Sequence, residues 1–274
     1  MEYKKIIKEN YNIHIINTDR FKTISMNVAF SNKFDKSDIP YLNLLIKNLV
    51  SSTKKYKTSS SLAILGEELY GSSISASFNI ISNIERMIIS LDFLNPKYTE
   101  QEMIKESISF FNECLFNPNI INNGFAKKHF DINKDNIINS LKSINDNSYS
   151  YSLIKFKNVM YDETYLSYNL YNNIQAIEKI SNKDLYSFYL NVIKNFKIDI
   201  FLVGNLIDEE EYIKCIDKMF SSQENIFNKN LRFKEILLNT PNKVIKEQKE
   251  FNQSQLFVGY TFDNLNDYEK KYVL

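Results

Sequence analysis

Residues 37–58 read SDIPYLNLLIKNLVSSTKKYKT, and a helix with one apolar face runs through the first half of them. Leu42, Leu45, Ile46 and Leu49 recur three and four residues apart, the spacing of a buried helix stripe. Asp38 stands where an N-cap is needed. Pro40 falls in the first turn, where a missing N–H costs little. The polar run SSTKKYKT ends the helix.

Outward from this helix, NIHII at 12–16 and TISMNVAF at 23–30 alternate as strands do, joined by NTDRFK. After it, TSSSLAILGEELYG is a second helix capped by Thr58 or a nearby serine and closed by Gly71. SISASFNI and RMIISLDFL follow as a hairpin turning around Asn83, and Asn95-Pro96 stops its second strand. TEQEMIKESISFFNECLF is a helix with Thr99 as cap and Ile104, Ile108, Phe111 and Leu115 inward. A long helical pattern runs from residue 122 to 146. Helices follow at 148–160 and at 181–194, the latter capped by Ser181. KIDIFLVGNL is a continuous apolar strand ending at Gly204, and IDEEEYIKCIDKMF an amphipathic helix with its acids early. Helices and hairpins mix without a regular βαβ alternation, so the fold class is α+β, mostly antiparallel. Residues 1–222 make one domain on this reading. Residues 223–250 lose periodicity and read as a linker. SQLFVGYTF at 254–262 opens the first strand of a second domain, which 251–274 leave incomplete.

The composition narrows the function classes. Among 274 residues, 34 are basic and 33 acidic, a balance that argues against a nucleic-acid partner or an anionic membrane surface. Hydrophobic residues make up 43%, enough for a sizeable core. The two cysteines, Cys114 and Cys215, form no CxxC pair and no disulfide framework. MEYKKIIKEN has no apolar stretch of signal-peptide type, and no apolar run reaches membrane-spanning length. A cytoplasmic location is the expectation.

The series hairpin, helix, TKKYKT, helix, LGEELYGSSISAS, hairpin resembles the N-terminal domain of the M16 zinc peptidases. Thr53, Lys54, Lys55, Tyr56 and Thr58 match that family's TKKY-T piece, and Leu65 to Ser77 its following segment with Gly66 intruding. NNIQAIEKISNKDLYSFYLNVIKNFKIDIFLVGNL matches a later one in pattern and spacing. The resemblance covers roughly residues 10–220. It implies an M16-type sheet with helices packed on one face. It also implies that the family's HFLEH positions fall on Asn43, Leu44, Leu45, Ile46 and Lys47. The two histidine ligands become Asn43 and Lys47, the general-base glutamate becomes Ile46, and the later glutamate pair falls on Asn133 and Ser140.

Catalytic zinc needs three protein ligands and an open position. An asparagine amide binds zinc poorly, and a lysine ammonium repels it. Ile46 offers no carboxylate to activate water. The expectation is a chain without catalytic residues, metal or other cofactor. HExxH and HxxEH are both absent. His129, Asp131 and Asp135 could be drawn as a replacement site, or as the solvated face of a helix. Cys114 and Cys215 lack a partnering histidine and read as small hydrophobes. STKKYK could bind phosphate or an acidic peptide, or be an exposed loop. The tyrosines of SYSYSLIKF and MYDETYLSYNLYNN could line a groove or pack inside.

SISASF is the strand that in the M16 peptidases borders the metal site, where substrate adds as an extra strand. Main-chain recognition of that kind can outlast the metal. Ser75, Ala76 and Ser77 are therefore candidate peptide-binding residues, against an ordinary edge strand blunted by small polar side chains. The resemblance implies an inactive subunit that pairs with an active M16 peptidase, or self-associates, and holds an extended peptide. A stand-alone peptide-binding or structural module is the alternative, and an active peptidase with displaced ligands a third.

Overall fold

The computed structural model describes residues 2–99, 102–161, 164–227, 230–233 and 243–260. Among these residues six strands form one sheet. In spatial order they are β1 (Glu2–Ile7), β2 (Asn12–Asn17), β8 (Lys197–Gly204), β3 (Thr23–Lys33), β5 (Ile84–Leu94) and β4 (Ser73–Ile81). β2 and β8 run parallel; every other neighbouring pair is antiparallel. A small ribbon pairs β6 (Ile120–Ile121) with β7 (Gly124–Phe125).

Side-chain alternation along these strands gives the sheet one apolar face. The register aligns Ile13, Ile200, Val28, Ile89 and Ala76 in one row across it, and Ile15, Leu202, Met26, Leu91 and Ile74 in the next. The first four residues of each row are fully buried. The opposite face carries His14, Phe201, Asn27, Ser90 and Ser75 in a matching row and stays half-exposed.

Helices cover the apolar face: α1 (Ile39–Leu49), α2 (Ser59–Glu68), α3 (Met103–Phe116), α4 (Lys127–Lys142), α6 (Ile174–Lys179), α7 (Asn182–Asn195) and α8 (Glu209–Phe220), while α5 (Ser148–Met160) packs against the short 3-10 turns at 143–146 and 165–167. Their buried stripes are the expected ones. Leu42, Leu45 and Leu49 are inaccessible on α1, and Ile104, Ile108, Phe111 and Leu115 are buried on α3. Capping boxes at Thr58 and Ser181 start α2 and α7. The α+β, mostly antiparallel architecture drawn from sequence is the architecture observed. No helix among the described residues is long and apolar enough to cross a membrane.

Local details differ. Residues 2–7 form β1, an edge strand whose charged sequence hides it. α3 begins at Met103 with Glu102 at the cap position, not at Thr99, which closes a short 3-10 turn at Pro96–Tyr98. The stretch from residue 122 opens with the β6–β7 turn before α4 starts. Asn122 and Asn123 both adopt left-handed backbone (φ 51° and 59°), which asparagine tolerates best among residues with a side chain. The described part of 223–250 has no helix or strand. Its first residues are nonetheless tied down, because the Asn225 amide donates to the carbonyls of Ile193 and Phe196, each at 2.8 Å. Residues 254–260 pair with no strand among the described residues. Phe257 stacks on Phe156 of α5 at 5.6 Å between ring centres, and Leu256, Val258 and Tyr260 point outward. Residues 261–274, which carry the rest of the expected second domain, lie outside the described residues.

Candidate functional site

α1 lies across β4 and β5. Its inner stripe buries Leu42, Leu45 and Leu49, and Ile46 joins the same core at 7% exposure. Asn43 turns its amide back to the Ile39 carbonyl at 3.0 Å, one helical turn earlier, which leaves it bound to its own helix. Lys47 is exposed. On α4, Asn133 donates to Asn48 Oδ1 and Ser51 Oγ, both at 3.2 Å, and so fastens α4 to the end of α1. Ser140, two turns on, is exposed, and its carbonyl accepts from Ser143 Oγ at 2.8 Å. Among the described residues, no three histidine, cysteine, aspartate or glutamate side chains gather as a metal would require. His129, Asp131 and Asp135 form no such group. Asp131 pairs with Lys127 at 2.8 Å, one turn back on α4.

Beneath the start of α1 sits an acid that periodicity does not reveal. Glu85 is the second residue of β5 and points to the helix-covered face, where it is fully buried. Its Oε2 accepts from the Asp35 N–H at 3.1 Å. Burial first, and then the neighbouring Asp38 and Asp35 charges, push its carboxyl up to about 9, despite the Asp35 N–H bond. Burial also raises Asp38. Asp35 is held low by hydrogen bonds from Ser37. The Asp38 side chain therefore faces Glu85 and makes no cap bond to α1, although Asp38 occupies the N-cap position. The Glu85 carboxyl is a protonated strut between the β4–β5 hairpin and the entry to α1.

The two edges of the sheet are built differently. β1 carries Glu2, Lys4 and Lys5, and Lys4 pairs with Glu209 at 2.5 Å. Charges of this kind keep another strand from adding. β4 reads SISASFNII over nine residues, without a charge, a proline or a glycine. Among the described residues it is bonded to β5 on one side only. Ile74, Ala76, Phe78 and Ile80 are half-buried toward the helices, and Ser73, Ser75, Ser77 and Asn79 are exposed on the other face. None of the devices that blunt an edge is present on this strand.

Two further groups stand apart. On the open face Tyr3 Oη and His14 Nδ1 lie 2.8 Å apart, His14 Nε2 and Asp199 Oδ1 3.2 Å apart, and Lys197 donates to Asp199 Oδ2 at 2.6 Å. Burial works against the Asp199 charge, but Lys197, Asn12 and His14 outweigh it and hold the carboxyl below its usual range. This chain knits β1, β2 and β8 together. Burial pushes the Cys114 thiol up to about 12, which makes it inert, as expected of a small core hydrophobe.

Residues 179–274 match the family described as Peptidase M16 inactive domain. The chain is 24% identical over 253 residues to a "Probable inactive metalloprotease YmfF" from Bacillus subtilis, covering 90% of this chain and 58% of that protein. A conserved protein from Enterococcus faecalis V583 superposes with a TM-score of 0.75 at 21% identity, over 81% of this chain and 53% of that one. A peptidase M16 inactive domain from Pseudomonas fluorescens does so with a TM-score of 0.65 at 12% identity, over 85% and 53%. The chain thus shares its fold with these structures and resembles the M16 family in sequence over residues 179–274, and it spans a little over half the length of the relatives it matches.

Proposed function

We propose that this chain is the non-catalytic part of an M16-type assembly and holds an extended peptide along β4. The observation that carries the reading is the unblocked β4 edge beside α1, where Asn43, Ile46 and Lys47 offer no metal-binding set. Backbone N–H and C=O groups on a free edge recognise an added strand whatever its sequence. The chemistry would come from a partner M16 subunit with an intact HxxEH, and this chain would supply scaffold and substrate contacts around Ser75, Ala76 and Ser77. Residues 1–222 form its first domain on this reading, 223–250 a linker, and 251–274 the opening of a second domain. The outward Leu256, Val258 and Tyr260 suit a strand awaiting a sheet.

Ala76→Pro tests the edge. Proline removes one N–H and disfavours strand pairing, so peptide affinity falls while binding of an M16 partner is kept. The measurements are peptide titration and the mass of the complex. Unchanged peptide affinity in a folded variant overturns the edge reading. Failure of any HxxEH-bearing M16 protein to co-purify overturns the pairing.

A further inference from the structure

We infer that β4 is a self-pairing strand: two copies of this chain join antiparallel along their free β4 edges, about a two-fold axis through Ser77. The inference rests on the same free edge as the peptide reading but does not require a peptide.

Ser77 is the middle residue of the nine in β4. A two-fold axis normal to the sheet runs the second strand antiparallel and keeps the helix-covered face of both copies on one side. Pairing centred at Ser77 then uses the whole strand. Ile74 meets Ile80 of the second copy, and Ala76 meets Phe78 of the second copy. All four belong to the half-buried face. The small alanine leaves room for the phenylalanine, and both apolar pairs lose water-exposed surface. On the open face Ser75 meets Asn79 of the second copy, and Ser77 meets its own equivalent. Both pairs can exchange hydrogen bonds. No charge is brought against a like charge, because β4 has none.

The opposite edge fails the same comparison. Centred pairing of β1 sets Lys4 against Lys5 of the second copy, a like-charge pair. Self-complementarity is thus a property of β4 and not of any strand at a sheet edge. A single ladder is a small interface, so the dimer forms reversibly with concentration. It also covers the groups that an extended peptide would use, which makes the paired state a closed form of the peptide site.

Sedimentation equilibrium of the full chain through a dilution series tests this. The expected result is a reversible species of twice the 32.3 kDa chain mass. Ser77→Lys and Ser77→Asp each set like charges across the axis and weaken dimerisation at least about tenfold. Mixing the two variants restores it, since position 77 faces itself only at this register. A parent chain that is monomeric throughout overturns the inference, as does a Ser77→Lys variant that dimerises like the parent. If either charged variant fails to fold, Ser77→Cys decides. Mild oxidation gives a disulfide-linked dimer that neither Ser73→Cys nor the parent, with its Cys114 and Cys215, produces. Absence of that link overturns the inference. A chain that dimerises yet binds no peptide refutes the peptide reading alone, and one that binds peptide yet never dimerises refutes the self-pairing alone.

Discussion

Replacing Glu85 by glutamine should stabilise the protein at neutral pH and leave it almost unchanged in acid. The folded chain keeps the Glu85 carboxyl protonated, because burial and the facing Asp38 and Asp35 raise it to about 9 from an ordinary 4.5. The unfolded chain ionises it at pH 7. Folding at pH 7 must therefore take up a proton, at a cost of about 3 kcal/mol for a group with that ordinary value. The sign follows from the raised value. The Glu85 contribution to stability is fully present below about pH 4.5 and is lost as pH rises toward about 9. Glutamine has the same shape, accepts the Asp35 N–H through its oxygen, and offers an amide to Asp38 without binding a proton. We expect a gain of about 1–3 kcal/mol at pH 7, shrinking to near zero around pH 4. Urea denaturation of parent and variant at several pH values reads it directly. A variant less stable than the parent at pH 7, or a difference that does not grow with pH, would falsify the buried-acid account.

The purified chain should carry no stoichiometric zinc by metal analysis; one tightly held zinc per chain, lost together with peptide cleavage on chelation, would show that ligands have been misplaced. Restoring the motif with Asn43→His, Ile46→Glu, Lys47→His and Ser140→Glu should recover zinc affinity. Ile46→Glu dominates the stability loss, about 2–4 kcal/mol, because position 46 is only 7% exposed within the core; a variant without zinc affinity rejects the assignment of these positions. Gly204 ends β8 at φ 144°, and a Cβ there would lie 2.6 Å from Ile24 Cδ1 and 3.0 Å from the Thr23 carbonyl. Gly204→Ala should lower stability by about 1–3 kcal/mol, seen as a lower urea midpoint; an unchanged midpoint refutes the close approach.

Most of the fold is legible in local pattern. Leu42, Leu45 and Leu49 announce α1 through a period that only a helix satisfies, and Ile24, Met26 and Val28 announce β3 through one that only a strand satisfies. Thr58 and Ser181 mark helix starts because a cap acts within three residues. The absence of HxxEH is a fact of sequence alone, since no tertiary arrangement can supply a carboxylate at Ile46. β1 escaped because an exposed edge strand has no buried face to impose alternation on EYKKII. The β6–β7 turn escaped because Asn122 and Asn123 read equally well as polar helix residues until the backbone is seen.

The sequence by itself determined the order of elements, the capped helices and the absence of an HxxEH motif, all of which depend on neighbours a few residues away. Only the tertiary structure decided that Glu85, alternating with apolar residues on β5, meets Asp38, far back along the chain, in a place without water. Only it decided that β4 rather than β3 or β5 is left at the edge, uncharged and open, while the charged β1 takes the other side. Strand order depends on which distant segments bury their apolar faces together, and a proton's affinity on the water they exclude; neither quantity is written in the spacing of residues along a chain.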